Sequence, residues 1–161
     1  MSLPSAPFDT AKSIFAGLAI IELTPTGGTK VVFESRLLTS KLEQEIKDIS
    51  RPDSKGVLRK VRTVLTKQQE SFTFEIDEAK RLLDIFANSL AGRVTGVCTL
   101  WLPDPDDLTG KIALKSEVGF ACTITRDGDM PFGNSEFAKA TINLESNKQG
   151  PITWTADASY S

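Results

Sequence analysis

The residues with the most chemical promise are carboxylates. Asp104, Asp106 and Asp107 crowd one segment, and Asp127 and Asp129 form a DxD pair in another. Either set could hold a hard cation through its oxygens. The calcium-loop pattern fails at Phe132, which stands where that motif requires glycine, so the acids are read as solvated loop carboxylates. The chain contains no histidine, which removes the commonest general base, the usual neutral metal ligand and every imidazole-dependent triad. No GxSxG elbow is present, and Ser135 in GNSEF has no imidazole to activate it. GGTK at 27–30 lacks the spacing of a phosphate-cradling loop. Nothing singles out a carboxylate pair for glycoside chemistry. Cys98 and Cys122 sit in apolar runs without CxxC spacing. They read as small buried hydrophobes, with a disulfide between them left open because its geometry is not legible in sequence. The expectation is a chain that is not an enzyme, with no catalytic residues, cofactor or metal site.

The elements around these residues are mostly extended. At 161 residues with 40% hydrophobic and 25% charged, the chain has the composition of one globular domain over 1–161. The net charge of −2 gives no overall attraction to nucleic acid. The apolar run Ile14–Ile21 is too short for a membrane-spanning helix and lacks the flanks of a signal peptide. It predicts a chain made in the cytoplasm and not exported by the general secretory route, with no membrane insertion. Residues 1–13 read as an extended arm, Gly17–Leu23 as a strand, PTGG at 25–28 as a turn and Lys30–Phe33 as a second short strand.

Residues 38–49 fit two patterns. Leu38, Leu42, Ile46 and Ile49 make a helical stripe, and Leu38, Leu42 and Ile46 also share one strand face, opposite Lys41, Glu43, Glu45 and Lys47. Residue propensity favours helix. The neighbouring Val57–Leu65, with Val57, Val61 and Leu65 alternating, favours a hairpin over 38–66 turned by RPDSKG. Phe72, Phe74 and Ile76 alternate inward. A helix follows at about 77–91, with Asp77 as N-cap and Gly92 as its stop. Strands are expected at Val94–Leu102, Lys111–Ser116, Val118–Thr125 and Ala138–Ser146, with long loops at 103–110 and 126–137. A last strand carries Ile152 and Trp154 within the C-terminal segment 147–161. The sum is a β-rich sandwich or barrel with one packed helix. The cations Lys55, Arg59, Lys60, Arg62 and Lys67 cluster on the hairpin, as a site for phosphate, for a neighbouring subunit's acids, or simply as a solvated face.

Three passages carry a resemblance: KQQESFTFEIDEAKRLLDIF at 67–86, the charged hairpin at 38–66, and GFACTITRDGDMPFGNSEFAKATINLESNKQGPITWTADA at 119–158. In this order they resemble the tail tube, or major tail, proteins of long-tailed phages. The resemblance implies a virion structural subunit that forms hexameric rings, stacked into a hollow tail tube through which DNA passes. Its partners would be further copies of itself, a tape measure protein and a tail terminator. It also implies an acidic bore, for which Glu43, Glu45, Glu70 and Glu75 are the candidate lining residues. Candidate subunit contacts are Pro7 and Phe8 in the arm, Arg51, Asp53, Lys55, Arg59 and Arg62 on the hairpin, Met130 and Phe132 in the loop, and Trp154 and Tyr160 near the end. The tube of a contractile or secretion-type injection machine, or a soluble β-sandwich binding module, are the alternatives.

Overall fold

The computed structural model describes residues 2, 3, 5, 18–103, 111–133 and 137–159. Eight strands and one helix occupy them: β1 (Ala19–Pro25), β2 (Val31–Pro52), β3 (Leu58–Ile76), α1 (Arg81–Ile85), β4 (Arg93–Pro103), β5 (Lys111–Ser116), β6 (Phe120–Asp127), β7 (Ala140–Ser146) and β8 (Trp154–Ser159). Of the expected loop at 103–110, residues 104–110 lie outside the described residues, as does the expected arm at 1–13 apart from residues 2, 3 and 5.

The sheet runs β1-β2-β3-β7-β6-β4, and β4 pairs in turn with β1, so six antiparallel strands close on themselves. This is the barrel solution to the strand-edge problem. Alternation in sequence becomes inside and outside. Ile21, Leu23, Phe72, Phe74, Ile76, Leu100, Ile124, Ile142 and Leu144 are fully buried, and threonines, asparagine and charged residues occupy the intervening positions. Aromatic rings fill the middle, with Phe33 against Phe74 at 6.0 Å and Phe72 against Phe120 at 6.4 Å, separations typical of favourable ring pairs. Strand β4 is long enough to serve two further partners along its other edge. Its first half pairs with β6, and its end pairs with β5, which carries β8.

Gly96 makes the closure possible. It lies opposite Pro25 on β1 and Cys122 on β6. A β-carbon there would collide with the Thr24 carbonyl oxygen and stand 3.0 Å from Pro25 Cα. The backbones meet at a distance only glycine allows.

The helix is shorter than its apolar pattern suggests. It spans Arg81–Ile85, and Leu82, Ile85 and Phe86 enter the core. Asp77 does not cap it, because Lys80 holds the N-cap position; the Asp77 carboxylate pairs instead with Arg36 at 3.0 Å. Ala87 and Asn88 adopt positive φ, which ends the helix well before Gly92 and leaves Leu90 exposed. Cys98 and Cys122 are free buried thiols on the interior face of β4 and β6. Burial pushes the Cys98 thiol well up.

The strand alternative for 38–49 holds, within a much longer element than Lys30–Phe33 and the hairpin taken separately. β2 and β3 form one ribbon from Arg36↔Glu75 to Pro52↔Leu58. The tip is built by Asp53, whose carboxylate accepts the N–H groups of Lys55 and Val57 and the Nε of Arg59 at 2.8–3.0 Å. The Arg59 guanidinium, then these two amides, hold the Asp53 carboxyl below its usual range. Gly56 takes φ +78° to complete the turn.

Candidate assembly interface

The barrel accounts for only part of the ribbon. β1 leaves β2 at Ser35, and β7 leaves β3 at Ser71. From about Leu42 to the tip, the two strands have only each other among the described residues, apart from a single parallel bridge from Gln69 to Gly150. Ten residue steps at roughly 3.3 Å put the tip about 33 Å beyond the barrel. Among the described residues nothing else pairs with either edge of this projecting arm. The ladder breaks register three times, between Arg36 and Thr39, Glu45 and Ile46, and Ile49 and Ser50. At the second break, the Thr66 hydroxyl donates to the Glu45 carbonyl at 3.1 Å. Such bulges increase twist and make an edge a poorer template for indiscriminate pairing.

The register gives the arm two unlike faces. Ser40, Leu42, Ile46 and Pro52, facing Phe72, Glu70, Leu65 and Leu58, continue the barrel's interior face into solvent. Ile46 stands directly opposite Leu65, and they are 62% and 48% exposed. Leu42 and Leu58 are also exposed, as is Val61 in the third bulge. The other face carries Lys41, Glu43, Glu45, Lys47, Ile49 and Arg51 against Gln69, Lys67, Val64, Arg62 and Arg59. Six cations stand there against two carboxylates. Arg51 faces Arg59 directly, a like-charged pair that is unfavourable alone. Arg59 is engaged by Asp53 at 2.8 Å.

The root of the arm is stapled by the segment that precedes β8. Glu70, only 8% exposed, accepts the Ser40 hydroxyl at 3.0 Å and the Ile152 N–H at 2.7 Å. Gly150 N–H donates to Gln68 O at 3.2 Å, and Gln69 Nε2 donates to Ser146 O at 3.2 Å. Trp154 then meets the Phe72 ring edge-on at 6.2 Å. The same segment is tied at its far side by Glu117, which takes the Lys148 ammonium at 2.7 Å. That hydrogen bond is the main cause holding the Glu117 carboxyl below its ordinary range. Glu70→Ala removes an acceptor from a buried amide, so a loss of roughly 1.5–3 kcal/mol is expected. Glu70→Gln, which keeps one carbonyl oxygen, is expected to lose less. Urea unfolding of the two variants checks the order.

The candidate residues therefore separate. Glu43, Glu45 and Glu75 share the outer face, but Glu70 lies on the opposite face and is buried, because its carboxylate holds the C-terminal segment. An arm face of net negative charge does not exist as expected, since the register gathers cations there instead. Arg51, Lys55, Arg59 and Arg62 are exposed on the arm, with Asp53 shaping its tip. Met130 is 8% exposed and belongs to the core, so it offers no contact surface, whereas Phe132 is exposed. Trp154 is half-buried against the core. Pro7, Phe8 and Tyr160 lie outside the described residues. Sequence reasoning placed Leu42, Ile46, Val61 and Leu65 on strand faces without showing that they project past the barrel. The available signal was the length of the alternating pattern, which exceeds what any neighbouring strand could cover.

A groove of about 170 Å³ on the outer wall is lined by Lys41, Glu43, Gln69, Ser71, Thr73, Asp127, Asn143 and Glu145. It is small and polar beside ligand pockets of about 300–1,000 Å³. Among the described residues no group of three or more His, Cys, Asp or Glu side chains is placed to hold a metal ion. No helix among them is long and apolar enough to cross a membrane.

No protein-family model and no curated protein matches this chain. Solved structures do. A chain in the sheath–tube complex of an extracellular contractile injection system, PVC, in its extended state is similar at a TM-score of 0.52 and 12% identity, over 90% of this chain and 93% of that one. A chain of the anti-feeding prophage baseplate matches over 97% of this chain and 98% of its own length, with TM-score 0.47 and 9% identity. A chain from the tail of an empty GTA particle matches over 85% and 95%, with TM-score 0.42 and 16% identity. At these identities the PVC likeness establishes a shared fold, which spans nearly the whole of both chains.

Proposed function

We propose that this chain is a structural subunit of a tail tube, associating head to tail into stacked rings around a bore. The observation that supports it most is the two-stranded arm, whose apolar face and two edges no described residue covers, projecting from a barrel whose six strands close on one another. A monomer gains nothing from such an element, because a two-stranded ribbon alone is marginal in water. A neighbouring copy can cover its apolar face and pair its edges. Contact between an arm and a different surface of the next copy is heterologous, so it propagates as a ring or a filament.

On this reading the chain is not an enzyme, and its partners are its own copies with the proteins that measure and terminate the tube. Six copies per ring, passage of DNA and a place in the virion tail follow from the tail tube resemblance. Glu43, Glu45 and Glu75, on one face, remain the proposed bore residues. The likeness to the PVC sheath–tube complex favours a second reading, the tube of a contractile injection machine, in which a sheath surrounds the same ring. Negative-stain microscopy of the purified protein tests both. Rings or hollow filaments are expected, and a monodisperse monomer at high concentration overturns them.

A further inference from the structure

The charge of this chain is divided between arm and body. Residues 41–67 carry eight Lys and Arg against four Asp and Glu, a net of +4. The remaining residues carry 11 against 17, a net of −6. The overall −2 conceals this separation. On the arm, Lys47, Arg51, Arg62 and Lys67 have no ion-pair partner among the described residues, while Lys60 is neutralised by Asp48 at 3.3 Å. On the barrel wall, Asp127 and Glu145 likewise have no ion pair among the described residues. Each stands beside neutral cross-strand neighbours: Thr141 beside Asp127, and Ser71 and Thr123 beside Glu145.

Unpaired like charges gathered on one ribbon disfavour the isolated arm, so they are advantageous only where an anionic surface approaches. From this charge division we infer that the arm docks as a cationic element on the carboxylate-bearing body of a second copy. Arm cations, and not the apolar stripe alone, then set the order and rate of association. This rests on the self-assembly reading above and adds its driving force. The body's own net negative charge favours a second copy over a nucleic acid, because phosphates approaching the arm would also meet the acidic barrel from which it projects. Opposite fields on arm and body steer two copies into the head-to-tail encounter and disfavour arm-to-arm and body-to-body contact.

The test compares the full-length wild type with an Arg51→Gln/Arg62→Gln/Lys67→Gln variant, which keeps Leu42, Ile46 and Leu65 intact. Assembly is followed by sedimentation from about 0.1 M to about 1 M sodium chloride, over which the screening length falls from roughly 10 Å to 3 Å. The critical concentration of the wild type is expected to rise about tenfold or more with salt, and that of the variant to be already raised at low salt and insensitive to it. Circular dichroism of the variant verifies that it is folded. Salt-independent assembly of the wild type, or assembly of the folded variant at the wild-type concentration, overturns the inference while leaving the tube reading standing. Wild type that never assembles under any salt condition overturns the tube reading itself. Retention of wild type, but not variant, on a DNA duplex under conditions where salt-independent assembly persists assigns the arm to nucleic acid instead and also overturns the inference.

Discussion

An Ile46→Asp/Leu65→Asp chain is expected to remain a folded monomer that no longer associates. The two side chains face each other across the ribbon and stay largely in water, so the barrel does not depend on them. Strand propensity and surface exposure limit the cost in folding stability to about 1–2 kcal/mol. On the tail tube reading proposed above, the same pair lies under a neighbour. Covering the half of each side chain that is now exposed contributes about 2–3 kcal/mol in total, and an unpaired aspartate in that place adds a desolvation penalty. Association is therefore expected to weaken by at least about 30- to 100-fold per contact, and repetition around a ring multiplies the effect. Sedimentation velocity reports the lost assembly and a urea titration the retained fold. Assembly by the double variant at wild-type concentrations would mean that the apolar face is not buried in the tube.

Gly96→Ala is expected to have the opposite signature: assembly lost because the barrel is lost. A methyl group at that site meets backbone on β1, the Thr24 carbonyl and Pro25 Cα, and neither can rotate away. The β1–β4 seam must open at Pro25↔Gly96 and carry the Thr26 N–H to Thr95 O hydrogen bond with it. Overpacking of this kind costs roughly 1–3 kcal/mol, and loss of the bond adds about 1 kcal/mol. Against a total stability of about 5–15 kcal/mol for an ordinary domain, a clear fall in the urea midpoint is expected. Val97→Ala, one residue along on the exposed side, serves as the control and should barely move it. An unchanged midpoint for Gly96→Ala would show that the seam is not tightly closed in solution.

These two substitutions mark what could and could not be read in the residues. The inward set of Phe72, Phe74, Ile76, Ala140, Ile142 and Leu144 was legible, because a period of two leaves no other face for it. So was the turn around Asp53, where proline, aspartate and glycine each have a distinct role. The limits of the helix were not, since Ala87 carries no mark of a left-handed conformation and the Arg36–Asp77 pair joins positions 41 residues apart. Glu70 is the clearest case. Its neighbours in sequence place it on a strand face, but whether that face is wall or interior depends on where the C-terminal segment crosses. That crossing is a contact across 82 positions, beyond any local pattern. The charge on the arm was visible as a cluster, but its concentration on one face required the register, because two bulges in β3 reassign residues that simple alternation would place elsewhere.

The closed barrel has a consequence for sequence change. Its strands satisfy one another, and the arm adds little to the core, so substitutions on the arm are filtered by what it touches and hardly at all by folding. Such a layout lets a lineage exchange partners, or match the drift of its own neighbouring copies, by altering some two dozen exposed positions while the barrel stays constant. Two chains of this shape can diverge until little identity is left between them and still superimpose from end to end.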